Sequence, residues 1–103
     1  MSVVYIAGRI TGDPDYKEKF MWAEESLKER GFTVLSPAVL PKGLTPEDYM
    51  RISIAMMQSA DCVVFLPGWG ASRGAQLEMQ WCYYTGKPHS TMKDFLKGVE
   101  KTE

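Results

Sequence analysis

Leu66-Pro67-Gly68-Trp69-Gly70-Ala71-Ser72-Arg73-Gly74-Ala75-Gln76-Leu77-Glu78 is the stretch that decides the fold. It follows an apolar, strand-like run, Cys62-Val63-Val64-Phe65-Leu66, and leads into a helix-like run that stops at Gly86-Lys87-Pro88. Between the two, Pro67, Gly68 and Gly70 break regular structure. Ser72 has the chemistry of a helix N-cap, because its hydroxyl accepts from the free N–H groups of the next turn. Gly74 lets a ligand approach the backbone closely. A helix start carrying Ser72, Arg73 and Gly74 is a candidate anion site, for a phosphate above all. Glu78 lies six positions after Ser72, roughly 9 Å along the helix axis. A carboxylate there has no use in holding phosphate, but it can face the anomeric carbon of a nucleoside 5′-phosphate held at the helix start. The competing reading of Glu78 taken alone is a solvated helix residue.

Working outward, the same grammar recurs. Residues 3–7, Val-Val-Tyr-Ile-Ala, form a β-branched and aromatic run without alternation, as in a central parallel strand buried on both faces. Gly8-Arg9-Ile10-Thr11-Gly12 follows as a tight loop. Asp13 then Pro14 reads as N-cap and first helical residue. Tyr16, Phe20, Ala23 and Leu27 make an apolar stripe through a helix over residues 13–30, and Gly31 stops it. Residues 32–35 read as a second strand, and 36–44, with two prolines and a glycine, as a loop. Thr45-Pro46-Glu47-Asp48 opens a second helix that runs through Met50, Ile54 and Met57 to about residue 60. Residues 61–66 are the third strand, with Asp61 structural at its amino end. The third helix, 72–85, shows a buried stripe of Ala75, Met79 and Cys82 and a second apolar side of Leu77, Trp81 and Tyr84. Two readings of that second side stay open: a subunit interface, or burial within the monomer. A short, weak fourth strand is expected near His89, then a last amphipathic helix over 94–101.

Strand and helix alternate, which predicts an α/β fold with a parallel sheet whose right-handed crossovers put the loops after the strands on one edge. In such sheets ligands bind at the carboxyl ends of the strands, where strand order switches. The loops after strands one and three both fall on that edge. The 103 residues suit one domain, residues 1–103, with a core of moderate size. The balance of 45% hydrophobic and 24% charged residues is that of a globular chain, so disorder is not expected. A formal net charge of −1 argues against a nucleic-acid partner. Two separated cysteines within apolar runs, Cys62 and Cys82, are expected as buried thiols of a cytoplasmic protein. With one histidine and no Cys-x-x-Cys there is no metal spacing, and no cofactor is expected. No apolar run is long enough to span a membrane, and the first residues lack the basic region of a signal peptide.

Tyr5-Ile6-Ala7-Gly8, Ala60-Asp61-Cys62-Val63-Val64, Ser72-x-Gly74-x-x-x-Glu78 and Gly86-Lys87-Pro88, in this order and spacing, resemble the nucleoside 2-deoxyribosyltransferase superfamily. Leu66-Pro67-Gly68-Trp69 with Ser72-Arg73-Gly74-Ala75 looks closest to a small subfamily of unknown function common in phage genomes. The resemblance covers nearly the whole chain up to Pro88. It implies a flavodoxin-like (Rossmann-like), three-layer α/β fold with a small parallel sheet in the order 2-1-3, then a short fourth strand. It also implies a homodimer or higher homo-oligomer, and cleavage or exchange of the N-glycosidic bond of a nucleoside or nucleotide. It assigns the nucleophile to Glu78 and the tyrosine that orients it to Tyr5. Gly8, Arg9, Ile10, Gly12, Ser72, Arg73 and Gly74 would line the sugar and phosphate site. Ser72 stands where the transferases carry an aspartate for the sugar 5′-hydroxyl; a serine there resembles the nucleotide N-hydrolase branch, which binds a 5′-phosphate. A hydroxyl can donate to phosphate where a carboxylate would repel it.

Two positions depart from the family pattern. Ser53 replaces the aspartate that helps to protonate the leaving base, and a serine cannot act as a general acid near neutral pH. Gln80 replaces a residue that is often glycine. Two functions therefore stand side by side: a nucleotide N-glycosidase or deoxyribosyltransferase, and a nucleotide-binding or nucleotide-sequestering protein without turnover. A structural oligomer using the same fold is the remaining reading.

Overall fold

The structure, a computed structural model, describes residues 2–101 of the expected 1–103 span. Four strands, β1 (Val3–Ala7), β2 (Thr33–Leu35), β3 (Cys62–Phe65) and β4 (His89–Thr91), form one parallel sheet in the order β2-β1-β3-β4. Four helices connect and flank them: α1 (Tyr16–Glu29), α2 (Pro46–Ser59), α3 (Arg73–Thr85) and α4 (Met92–Lys101). The predicted order 2-1-3 and the α/β class hold, and the weak run at His89 does form the fourth strand. The reversal of strand order falls between β1 and β3, so the loops after these two strands are neighbours; the Leu66 N–H donates to Ala7 O at 2.9 Å.

Residues of β1 alternate between two cores, as the period of a strand requires. Val4 and Ile6 meet Phe20, Ala23 and Leu27 of α1 and Met92 of α4 on one face. Tyr5 and Ala7 meet Met57 of α2 and Cys82 of α3 on the other. Both faces are thus covered, which explains why β1 and β3 read as continuous apolar runs rather than alternating ones. The result is the three-layer arrangement expected.

Local details depart from the sequence reading. Helix α1 starts at Tyr16 rather than at Asp13–Pro14. Asp13 instead accepts from the Asp15 N–H at 2.9 Å and pairs with Lys19 at 2.7 Å, so its carboxylate closes a turn ahead of the helix. A 3-10 turn, Pro37–Val39, interrupts the loop before α2, and a second, Trp69–Ala71, fills the glycine-rich loop before α3. The backbone N–H groups of Trp69, Ala71 and Ser72 donate to the carbonyls of Leu66, Gly68 and Trp69, so the loop is ordered despite its glycines. Helix α4 begins at Met92 directly after β4, because Met92 belongs to the core at 1% exposure. Cys62 is only half-buried, Cys82 is buried, and both are free thiols. Asp61 is structural as expected: its Oδ2 accepts from the Val3 N–H at 2.7 Å and ties the amino ends of β1 and β3.

The inward faces of α2 and α3 differ from the expected stripes, and this positions the site. On α3 the buried residues are Ala75, Glu78 and Cys82, with Met79 only half-buried. On α2 they are Ser53 and Met57, while Met50 and Ile54 lie half-buried to one side. Ala75, Cys82 and Met57 are buried as expected. The change is that Glu78 takes the inward place expected of Met79, and Ser53 that expected of Met50 and Ile54, so each face is turned by a fraction of the roughly 100° between adjacent residues. On the outward side of α3, Leu77 and Tyr84 stand exposed in the single chain and Trp81 is half-buried.

Candidate active site

The helices that follow β1 and β3 start at the carboxyl edge of the sheet. Ser72 caps α3 as expected: its Oγ accepts from the Ala75 N–H at 3.2 Å. The capping bond uses one lone pair and leaves the hydroxyl proton free to donate. Arg73 is exposed on the first turn, and Gly74 has open space around it, with only Ser72 Oγ near the position of a Cβ, at 3.8 Å.

The loop after β1 behaves less uniformly than its glycines suggest. Gly8 is enclosed: a Cβ there would meet Phe20 Cζ at 3.1 Å and Leu66 Cβ at 3.2 Å, so close packing of the two loops on α1 demands the glycine. Ile10 packs its side chain against the α1-side core. Gly12 takes φ +83, a left-handed turn that disfavours any side chain. The Arg9 guanidinium folds over Gly12 and donates to Thr11 O at 3.3 Å. The Lys19 hydrogen bond first, and the Asp15 N–H after it, hold the Asp13 carboxyl below its ordinary value, with Arg9 a lesser contributor. Arg9 is therefore turned into its own loop, and of the two loop arginines only Arg73 projects from the helix start.

Deeper in, Tyr5 and Glu78 meet. The Tyr5 hydroxyl donates to Glu78 Oε2 at 2.5 Å, across 73 residues of sequence. Tyr5 is fully buried and Glu78 is 1% exposed. Burial pushes the Glu78 carboxyl up to about 7, and the Tyr5 hydrogen bond works in the opposite direction by favouring the ionised form. Tyr5 is itself raised well above its ordinary value, first by burial and then by the Glu78 charge, so it stays a protonated donor. The pair provides a carboxylate held in one orientation, with one oxygen committed to the phenol and the other free.

Two residues of α2 complete this cluster. Ser53, fully buried, faces the Tyr5 and Tyr49 hydroxyls, yet its Oγ makes no hydrogen bond of normal geometry. Tyr49, half-buried, lies one helical turn before Ser53, and its phenol is raised by burial and by the Glu78 charge. Ser53 stood out in the sequence as a departure from the family pattern; Tyr49 did not stand out at all. Its only signal was the spacing Tyr49, Ser53, Met57, which marks an alternative inward face of α2. Cys82, one turn beyond Glu78, is also raised, by burial first and Glu78 second. Among the described residues no group of His, Cys, Asp and Glu is placed to hold a metal ion, and no helix is long and apolar enough to cross a membrane.

The Tyr5 bond makes a direct prediction. Tyr5→Phe removes the interaction that favours ionised Glu78, so the carboxyl titrates above its present value of about 7. If ionised Glu78 is required, activity in Tyr5→Phe should appear only at higher pH than in the parent. A hydrogen bond to a charged group is worth about 1.5–3 kcal/mol, so the loss at pH 6 should be on the order of tenfold to a hundredfold. A pH–rate profile of both proteins checks this.

The fold is that of a solved 2-deoxyribosyltransferase from the psychrotolerant bacterium Bacillus psychrosaccharolyticus. The two share 22% identity with a TM-score of 0.67, over 85% of this chain and 69% of that one. No curated protein matches the chain in sequence. A family model for a domain of unknown function, DUF4406, matches residues 2–90, and with the strands β1 to β3, the Ser72 helix start and the Tyr5–Glu78 pair all inside that span, the chain belongs to the DUF4406 family.

Proposed function

We propose that this protein cleaves or exchanges the N-glycosidic bond of a nucleoside 5′-monophosphate, with Glu78 as the nucleophile. The observation that carries the reading is the buried Tyr5–Glu78 hydrogen bond, one helical turn and a half below the Ser72 helix start. The likeness in fold to a 2-deoxyribosyltransferase supports it. Glu78 attacks the anomeric carbon through its free oxygen and forms a glycosyl ester, which water or a second base then resolves. Tyr5 fixes the carboxylate. Ser72, Arg73 and the backbone at Gly74 take the phosphate, where the helix N-terminus favours negative charge. Gly8, Ile10 and Gly12 shape the adjoining loop.

A second reading, nucleotide binding without turnover, is favoured by one feature: the α2 position facing the pair carries Ser53, a hydroxyl that cannot supply an acid's proton. Incubation with a panel of ribo- and deoxyribonucleoside monophosphates, followed by chromatography, separates the two. Release of free base is expected. Binding by calorimetry with no base released from any member would support the second reading instead.

A further inference from the structure

We propose that Tyr49 donates the proton to the departing base, with Ser53 beneath it steering its hydroxyl; this rests on the glycosyl-transfer reading above. The reaction needs such a group. When the C1′–N bond breaks, its electron pair goes to a ring nitrogen of the base, and a base anion leaves poorly unless it is protonated. Tyr5 is committed to Glu78, and Glu78 is the attacking group, so neither can supply that proton.

Topology places Tyr49 where the donor should be. A helix connecting parallel strands runs against them, so α2 and α3 both begin at the carboxyl edge of the sheet. From their caps, Tyr49 lies about 6 Å down α2, Glu78 about 9 Å down α3 and Ser53 about 12 Å down α2. The three side chains thus form a graded wall. Ser53 and Glu78 are enclosed, whereas Tyr49 is half-buried and is met first by a ligand entering from the edge. Tyr49 and Ser53 are at i and i+4, one above the other on the same helical face. A buried hydroxyl without a good partner costs about 1–3 kcal/mol, and the groups beside Ser53 Oγ are the Tyr5 and Tyr49 phenols.

The electrostatics run in the right sense. In the resting protein, burial and the Glu78 carboxylate keep the Tyr49 proton in place. Attack on C1′ turns that carboxylate into a neutral ester, which removes the smaller of the two influences holding the proton just as the base needs it; burial, the larger, remains. The steps balance. Glu78 Oε bonds to C1′, the C1′–N bond breaks with its pair on nitrogen, and the Tyr49 proton moves to that nitrogen, leaving a phenolate. Water then attacks C1′ and gives its proton to the phenolate, while the C1′–Oε bond breaks and restores the carboxylate.

The test compares two leaving groups on the full chain. One substrate is the nucleotide that releases most base in the panel above. The other carries the same sugar phosphate on a pyridinium ring, which departs neutral and needs no proton. Tyr49→Phe should lower kcat on the nucleotide by about a hundredfold or more and on the pyridinium substrate by less than about threefold. Ser53→Ala, which keeps the phenol, should show the same selectivity with a smaller loss. Equal losses on both substrates in Tyr49→Phe would overturn the proton-donor role while leaving Glu78 as nucleophile. A parent protein that releases nothing from either substrate would overturn both this role and the reading it rests on.

Discussion

Glu78→Gln is expected to abolish base release while making the protein more stable at neutral pH. The amide keeps the shape of the side chain and can still accept from Tyr5, but it cannot act as a nucleophile. A loss on the order of a thousandfold or more is expected when such a group is removed, with nucleotide binding largely retained. The stability gain follows from the carboxyl titrating at about 7 in the folded chain against an ordinary value of 4.5. The sign is fixed by proton binding. Between pH 4.5 and 7 the unfolded chain has released this proton and the folded chain still holds it, so stability falls as pH rises through that window and levels off above it. The difference amounts to about 3 kcal/mol. The amide does not titrate, so the variant and the parent should have similar stability near pH 4, and the variant should be ahead by that amount at pH 8. For a chain of this size the gap corresponds to a melting-temperature difference on the order of 10 °C. Thermal melts at several pH values read the stability, and base release reads the chemistry. A variant with full base release would remove Glu78 from the mechanism. A stability difference independent of pH would contradict the titration.

Ser72→Asp should invert the preference between nucleotides and nucleosides. Aspartate is as good an N-cap as serine and suits the helix dipole, so α3 is expected to form normally. What changes is the charge beside the phosphate. Two unit charges about 4 Å apart in a partly solvated site interact by about 4 kcal/mol, and the half-buried Ser72 position screens part of that. Nucleotide affinity should fall by about a hundredfold or more, while affinity for the matching nucleosides, which lack the phosphate, should change by less than about threefold. Calorimetry with each pair measures both. An unchanged nucleotide affinity would mean that the phosphate does not sit at this helix start. The two substitutions act on separate steps, since one removes the attacking atom and the other repels the group that positions the substrate.

The general architecture was legible in the chain because it rests on local and repeated signals. Apolar runs of four to six residues, each followed by a turn and an amphipathic segment, marked the first three strands and their parallel pairing, while their 2-1-3 order followed from the resemblance. Ser72 and Thr45 announced the starts of α3 and α2 by capping chemistry alone, and both caps are made as expected. The start of α1 was misplaced by two residues because Asp13, an equally good cap by composition, spends its carboxylate on Asp15 and Lys19. The pairing of Tyr5 with Glu78 followed from resemblance rather than from periodicity, which had put Met79 at the centre of the buried stripe of α3. The expected stripe and the observed one share Ala75 and Cys82, so hydrophobic spacing locates the face but does not choose between Glu78 and Met79, adjacent residues about 100° apart around the helix. The rotation that turns Glu78 and Ser53 inward, and brings Tyr49 beside them, was decided only by the tertiary structure. A carboxylate can be buried at 1% exposure when a donor from another element is already there to meet it, and that donor, Tyr5, lies on a strand 73 residues away.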